Sequence, residues 1–435
     1  MKKTLKIVAL LLLVLVTSTF VFAQSSNTFT ATAGTLRDDA DNFMNVRYYN
    51  DVDFSNFFAW TDLSLDEANL GFAKKIDELY LGAYYNGDLW DGSSDKTTTE
   101  NTTNVTKNIT GNHTFDLLFG FSGMAFKLGT YFNLDNTKTS YVDTENEYES
   151  ESKTNNSTYT FDLTWGGLSV PAGNANLRPW AEIAFEINDA TVYSEVKTGD
   201  TTVVTTDKTN TNNLNTLSVT LASDAEWGSK DAFFSVAGLA YTLETAIGAN
   251  GVVYEVTDGD NTSSTTRAGK QDISNIFSPY YRFEYKVSDN LKFGGRVEAN
   301  LAINTSCDGY TYDPENPPTE VPDFDVTTDT SISSNLGLGM QYKLKPNFAM
   351  NLGLKASLPR FDSTKTVAPD LIGDGVTTTV NSDVNSSFSS NLYTGFVWDI
   401  NENCALDASM SIPLTPSILM DILGGGLSLG FKYKM

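Results

Sequence analysis

The sequence predicts an all-β protein, a transmembrane antiparallel up-and-down β-barrel of about 14 strands (12–16). Three observations predict it. Apolar and polar residues alternate with period 2 along much of the chain. Very short turns alternate with long polar connections. The polar half of the alternation carries charges of both signs, more than a dry core tolerates unpaired.

The first element is a leader. Lys2, Lys3 and Lys6 precede an apolar run from Ile7 to Val16, and Val21-Phe22-Ala23 presents a cleavage site before Gln24. This reads as a cleaved signal peptide over residues 1–23, because a spanning helix needs about 20 apolar residues. No Cys follows the cut, so no lipoprotein anchor is expected.

Residues 24–75 form an N-terminal segment with two readings. Thr35 to Trp60 is rich in aromatic residues (Phe43, Tyr48, Tyr49, Phe54, Phe57, Phe58, Trp60), which suits a plug folded into the lumen. Leu70 to Leu81 suits an extra hairpin, which would add strands.

The barrel is expected over 76–435. Its strands fall near 76–87, 112–121, 125–135, 158–168, 178–196, 214–224, 232–246, 275–287, 291–304, 331–344, 348–359, 386–400, 404–412 and 425–435. In one of them Tyr281, Phe283, Tyr285 and Val287 alternate with Arg282, Glu284 and Lys286. On a helix this pattern would spread charge around the whole surface. Short turns follow from Ser122-Gly123, Ser288-Asp289-Asn290 and Pro346-Asn347. Residues 88–111, 136–157, 197–213, 248–273, 306–330 and 360–384 are polar and predict long loops. In a membrane barrel the short turns lie periplasmic and the long loops extracellular.

The alternation separates a lumen-facing set from a lipid-facing set. Asp162, Glu182, Glu186, Arg282, Glu284, Lys286, Lys292, Arg296 and Glu298 are the predicted lumen lining. Such a lining either sorts solutes by charge or fills a closed barrel with ion pairs. Many Trp and Tyr residues, Tyr85, Trp165, Trp180 and Trp398 among them, fall near strand ends, as aromatic girdles require.

The net charge is −25, and near −28 once the three leader lysines are removed, which excludes nucleic acid as a partner. Residues 306–330 hold seven acids and no Lys or Arg, a solvated surface. The one histidine, His113, sits at a strand mouth as a polar rim residue, and no enzyme activity is expected. No metal site or cofactor is expected either, since the only Cys residues are Cys307 and Cys404. These two are expected at opposite ends of a wall about 25 Å tall, beyond disulfide reach, hence as free thiols. Pro413 to Gly426 carries helix start and stop signals around an apolar run, expected to pack on the barrel mouth.

Leu427 to Met435 alternates without a fault and resembles the C-terminal signature strand of bacterial outer-membrane β-barrels. The resemblance implies that Leu429, Phe431, Tyr433 and Met435 form the signal read by the barrel-assembly machinery, and that the protein lies in outer-membrane lipid. Met435 stands where the family usually has an aromatic residue. Gly34 to Phe43, with Asp38, Asp39 and Asp41, is similar to the N-terminal region of FadL-type transporters of hydrophobic compounds, although no Asn-Pro-Ala motif follows it here. The sequence therefore predicts a porin or channel for passive passage of small solutes. The alternatives are a surface adhesin or antigen displaying acidic loops, and a FadL-like transporter.

Overall fold

The computed structural model describes residues 32–33, 35–36, 42–52, 56–63, 67–88, 91–99, 101–199, 201–207, 215–247, 251–258, 261–307, 309–317, 325–369, 376–385, 388–414 and 427–434. The leader, Met435 and nearly all of the apolar segment expected at 413–426 lie outside the described residues.

The described residues form one antiparallel sheet of 24 strands. In chain order these are β1 (Phe57–Leu63), β2 (Glu67–Ile76), β3 (Leu79–Asp88), β4 (Asp91–Thr98), β5 (Thr102–Phe121), β6 (Met124–Asp143), β7 (Tyr148–Gly166) and β8 (Val170–Ala172). Then come β9 (Ala175–Thr198), β10 (Thr201–Asp207), β11 (Asn215–Gly228), β12 (Phe233–Ile247), β13 (Gly251–Asp258), β14 (Asn261–Ala268), β15 (Gln271–Ser288) and β16 (Leu291–Cys307). The last are β17 (Tyr310–Tyr312), β18 (Val326–Lys345), β19 (Phe348–Ser357), β20 (Arg360–Pro369), β21 (Val376–Asn385), β22 (Ser389–Asp399), β23 (Cys404–Pro413) and β24 (Leu427–Lys434). The only described helical turn of its own is the 3-10 turn Tyr49–Asp51. No helix among the described residues is long and apolar enough to cross a membrane.

Sixteen strands pair in one continuous order, β1-β2-β3-β5-β6-β7-β9-β11-β12-β15-β16-β18-β19-β22-β23-β24. Strand β24 pairs in turn with β1, from Phe58↔Lys434 to Leu63↔Leu429, so the circuit of pairings returns to its start. Of the other eight strands, seven extend the ladder at one end, where β10 pairs with β9 and β13 and β20 pairs with β18 and β21, and β8 pairs with the start of β9 at the other end.

All fourteen expected strands have counterparts, and β1 and β2 add a hairpin ahead of them, so the order of sixteen stands at the upper end of the expected 12–16. The structure corrects the expected loops. Most of residues 88–111 and 136–157 continues as strand in β4, β5, β6 and β7, and 360–384 supplies β20 and β21. These stretches are rich in Thr, whose branched side chain favours the pleated surface. The short turns stand as expected. Ser122 (φ 49°) and Gly123 (φ 83°) both take left-handed backbone, which suits a two-residue hairpin between right-twisted strands.

The two faces of the sheet carry opposite chemistry. On β5, Phe115, Leu117, Phe119 and Phe121 are 44–59% exposed, while Asp116 is 9% and Leu118 0% exposed between them. On β6 and β7, Phe126, Leu128, Phe161 and Leu163 continue the exposed apolar row. The other face is inner, because residues 42–52 pack on it. Phe43, Val46, Tyr49 and Val52 join Phe58, Trp60, Tyr80 and Leu118 in one buried cluster.

Glycines on the inner face make this packing possible. A Cβ at Gly120 would lie 2.2 Å from Tyr49, and one at Gly71 would lie 2.3 Å from the Trp60 indole nitrogen. A Cβ at Gly166 would approach Val46 to 2.9 Å, and one at Gly339 would approach Thr35 to 2.0 Å. Each missing side chain is a slot for the N-terminal segment. Cys307 is buried, Cys404 half-buried, and both are free thiols.

Candidate functional site

The N-terminal segment is bolted to the inner face by polar anchors. Arg47 Nη1 donates to Asp224 Oδ2 at 2.9 Å, and the Tyr48 hydroxyl donates to the same oxygen. Arg178 reaches three partners at once: Glu226 at 2.7 Å, the Arg47 carbonyl at 2.7 Å and Asp51 at 3.2 Å. The Tyr80 hydroxyl donates to the Phe43 carbonyl at 2.8 Å, and the Tyr49 hydroxyl to the Met124 carbonyl at 3.0 Å. Asp224 is 1% exposed, so removing it would strand Arg47 and Tyr48 together.

Beside these anchors lies a cavity of about 380 Å³, within the size range of small-molecule sites. Phe43 to Arg47 form one side. Trp60, Tyr84, Asp116, Lys127, Thr164, Trp180 and Glu182 form the other, from β1, β3, β5, β6, β7 and β9. Register explains the convergence. Lys127 lies opposite Leu118 and Thr164, and Thr164 lies opposite Glu182, so one row crosses four neighbouring strands.

The row is acidic on balance. Lys127 Nζ sits 3.6 Å from both Asp116 and Asp162. The Thr164 hydroxyl reaches Glu182 at 3.1 Å and Asp162 at 3.3 Å. Three carboxylates thus surround one lysine. The apolar part is aromatic: Trp60 and Tyr84 stack at 5.4 Å between centroids, and Phe43 meets Trp60 edge-on at 6.0 Å. The Arg47 guanidinium lies over the Trp180 ring at 4.9 Å. The indole nitrogens of Trp60 and Trp180 are buried without a hydrogen-bond partner in the structure.

Of the predicted lumen lining, Glu182 lines this cavity, and Asp162 stands behind it as a partner of Lys127 and Thr164. Glu186 lies four residues beyond Glu182 on β9 and accepts from Asn188 at 2.7 Å. The other six stand apart on β15 and β16. Arg282 hydrogen-bonds Glu284 and also reaches the Thr35 carbonyl at 3.4 Å. Lys286 pairs with Asp289 of the turn at 2.9 Å, Arg296 pairs with Glu298 at 2.6 Å, and Lys292 is opposite Lys286 in the ladder. Leu429, Phe431 and Tyr433 are placed in the register of β24, and Met435 is outside the described residues.

Two placements differ from expectation. Trp180 lies on the inner face at the cavity rather than in an outer girdle, since it shares parity with Arg178 and Glu182. His113 is buried rather than at an open rim, stacked on Tyr85 and hydrogen-bonded to its hydroxyl at 3.0 Å. Sequence reading missed Arg47, Trp60, Tyr84, Asp116, Lys127 and Thr164 as site residues. The signal that could have found the region is the set of glycines on the polar face, at Gly71, Gly82 and Gly120.

No protein-family model matches the chain, and no curated protein matches it. Solved structures do. The toluene transporter TodX of Pseudomonas putida is similar at TM-score 0.39 and 8% identity, over 95% of this chain and 99% of that one. A FadL homologue of Pseudomonas aeruginosa is similar at TM-score 0.40 and 12% identity, over the same shares. CdiB from Acinetobacter baumannii is similar at TM-score 0.38 and 10% identity, over 87% of this chain and 59% of that one.

Proposed function

We propose that the protein is an integral outer-membrane β-barrel channel of sixteen wall strands, narrowed by its N-terminal segment, that passes a small and partly apolar solute. The observation that carries this reading is the inversion of the two faces. Exposed Phe115, Leu117, Phe119 and Phe121 stand back to back with inward Asp116 and Leu118. A soluble sheet has no use for a continuous outer row of large apolar side chains, whereas lipid does. The pairing of β24 with β1 supports a closed wall without an open edge, as lipid demands.

The choice of solute follows from the inner face. An open pore for hydrophilic solutes needs a water-filled bore, and here Phe43, Val46 and Tyr49 fill part of it. The aromatic cavity beside them suits a FadL-like role better than an open porin. The protein acts by passage rather than catalysis. Export by the leader, assembly through the final strand and residence in outer-membrane lipid belong to the same proposal.

Reconstitution into liposomes tests it. Entry of a small aromatic compound should exceed that into protein-free vesicles, and removal of residues 25–52 should raise ionic conductance. Equal entry with and without folded protein overturns the reading.

A further inference from the structure

We infer that the cavity between residues 43–47 and the wall selects a small aryl amine, an organic cation with an aromatic body. The inference rests on the channel reading for its biological use but not for its chemistry.

The protein already shows what this wall accepts. Arg47, delivered by the N-terminal segment, occupies a seat made of one carboxylate and one aromatic face: Asp224 at 2.9 Å and the Trp180 ring at 4.9 Å. It is a tethered organic cation in a cation–π site. Among the described residues, the neighbouring space repeats the same materials: Glu182 supplies a carboxylate, and Trp60 and Tyr84 supply aromatic faces. Among the described contacts, Glu182 accepts one hydrogen bond, from Thr164, and has no ion pair. Among the described residues, the single lysine of the row is engaged by Asp116 and Asp162.

A further observation points to a cation. Beyond Glu182 on the inner face, Glu186 and Glu244 continue the acidic path on β9 and β12, and the whole chain carries −25. Such a field concentrates cations at the mouth and repels anions.

Tyramine and its neutral analogue 2-(4-hydroxyphenyl)ethanol form a matched pair, alike except for the ammonium. Binding of each to the detergent-folded full chain is measured by equilibrium dialysis at low salt. Tyramine should bind at least tenfold more tightly, and rising salt should erase most of that difference. E182Q, checked for heat-modifiable gel migration, should bring tyramine down to the level of the alcohol. Equal binding of the pair by the unmodified protein overturns the inference, as does a folded E182Q that keeps the preference. Liposome uptake then separates the two readings. Tight tyramine binding without passage sinks the channel and leaves the site standing. Passage of both compounds at equal rates, without preferential binding, does the reverse.

Discussion

The outer face of β5, β6 and β7 runs through two environments on one continuous ladder. Near the short turns it presents Phe115, Leu117, Phe126, Leu128, Phe161 and Leu163, all exposed. Farther along the same strands it presents Lys107, Lys138, Lys153 and Glu151. Backbone pairing is indifferent to the change, since Phe119↔Phe126 and Lys107↔Lys138 are rungs of the same pair of strands. What changes is the solvent each half is built for. In the proposed channel the lower half would bury its apolar side chains in lipid, and the upper half would carry the sheet on into water.

The comparison can be broken from either end. Leu117→Arg puts a charge among Phe115, Phe119 and Leu128. It should cost about 2–4 kcal/mol and deplete the heat-modifiable folded species on gels. Thr103→Arg, at the same parity higher on the same strand, should shift stability by no more than about 0.5 kcal/mol. Equal damage from both would mean that the outer face has a single environment.

The inner face should respond next most strongly. Gly120→Leu forces a side chain into the space of the Tyr49 ring, an overpacking cost of about 1–3 kcal/mol. The wall has no other need of that glycine, so the wall should survive while residues 42–52 become accessible to protease. Unchanged proteolysis would show that the slot is not what seats the segment.

The smallest effects belong to the upper half. Lys138 and Lys153 each meet Glu151 at 2.7 Å, and their hydrogen bonds hold its carboxyl below the ordinary range. A depressed carboxyl contributes stability above its unfolded pKa and loses it as pH falls through the folded value. Acidification below the carboxylate range should therefore speed amide exchange around Ser140 and Ser152 and leave the half with the apolar outer row unchanged. Lys153→Gln should cost about 0.2–1 kcal/mol, as exposed ion pairs do.

These environments also decide what the sequence makes legible. Alternation is clear in Tyr281 to Val287, where one face carries charges and the other exposed apolar side chains. It vanishes in Phe57-Phe58-Ala59-Trp60, because Phe58 and Trp60 turn inward onto Phe43 rather than toward water. That is why β1 is hard to see from sequence. It vanishes again in Thr102 to Thr110, where both faces are wet and only Thr and Val propensity marks the strand. The cavity was half legible for the same reason. Asp162 and Glu182 announce themselves as charges in an alternating strand, whereas Trp60, Tyr84 and Trp180 look like any other strand aromatics.

The return pairing of β24 onto β1 has a kinetic meaning as well. Phe58 and Lys434 are partners from nearly opposite ends of the described chain, the most non-local contact the ladder contains. Contacts of that kind form late and slowly, because the whole intervening chain must be ordered before they are rewarded. Until then β1 presents a row of unsatisfied amides, a template for pairing with any other strand nearby. The seam is therefore the point at which a growing sheet is most exposed to misassembly.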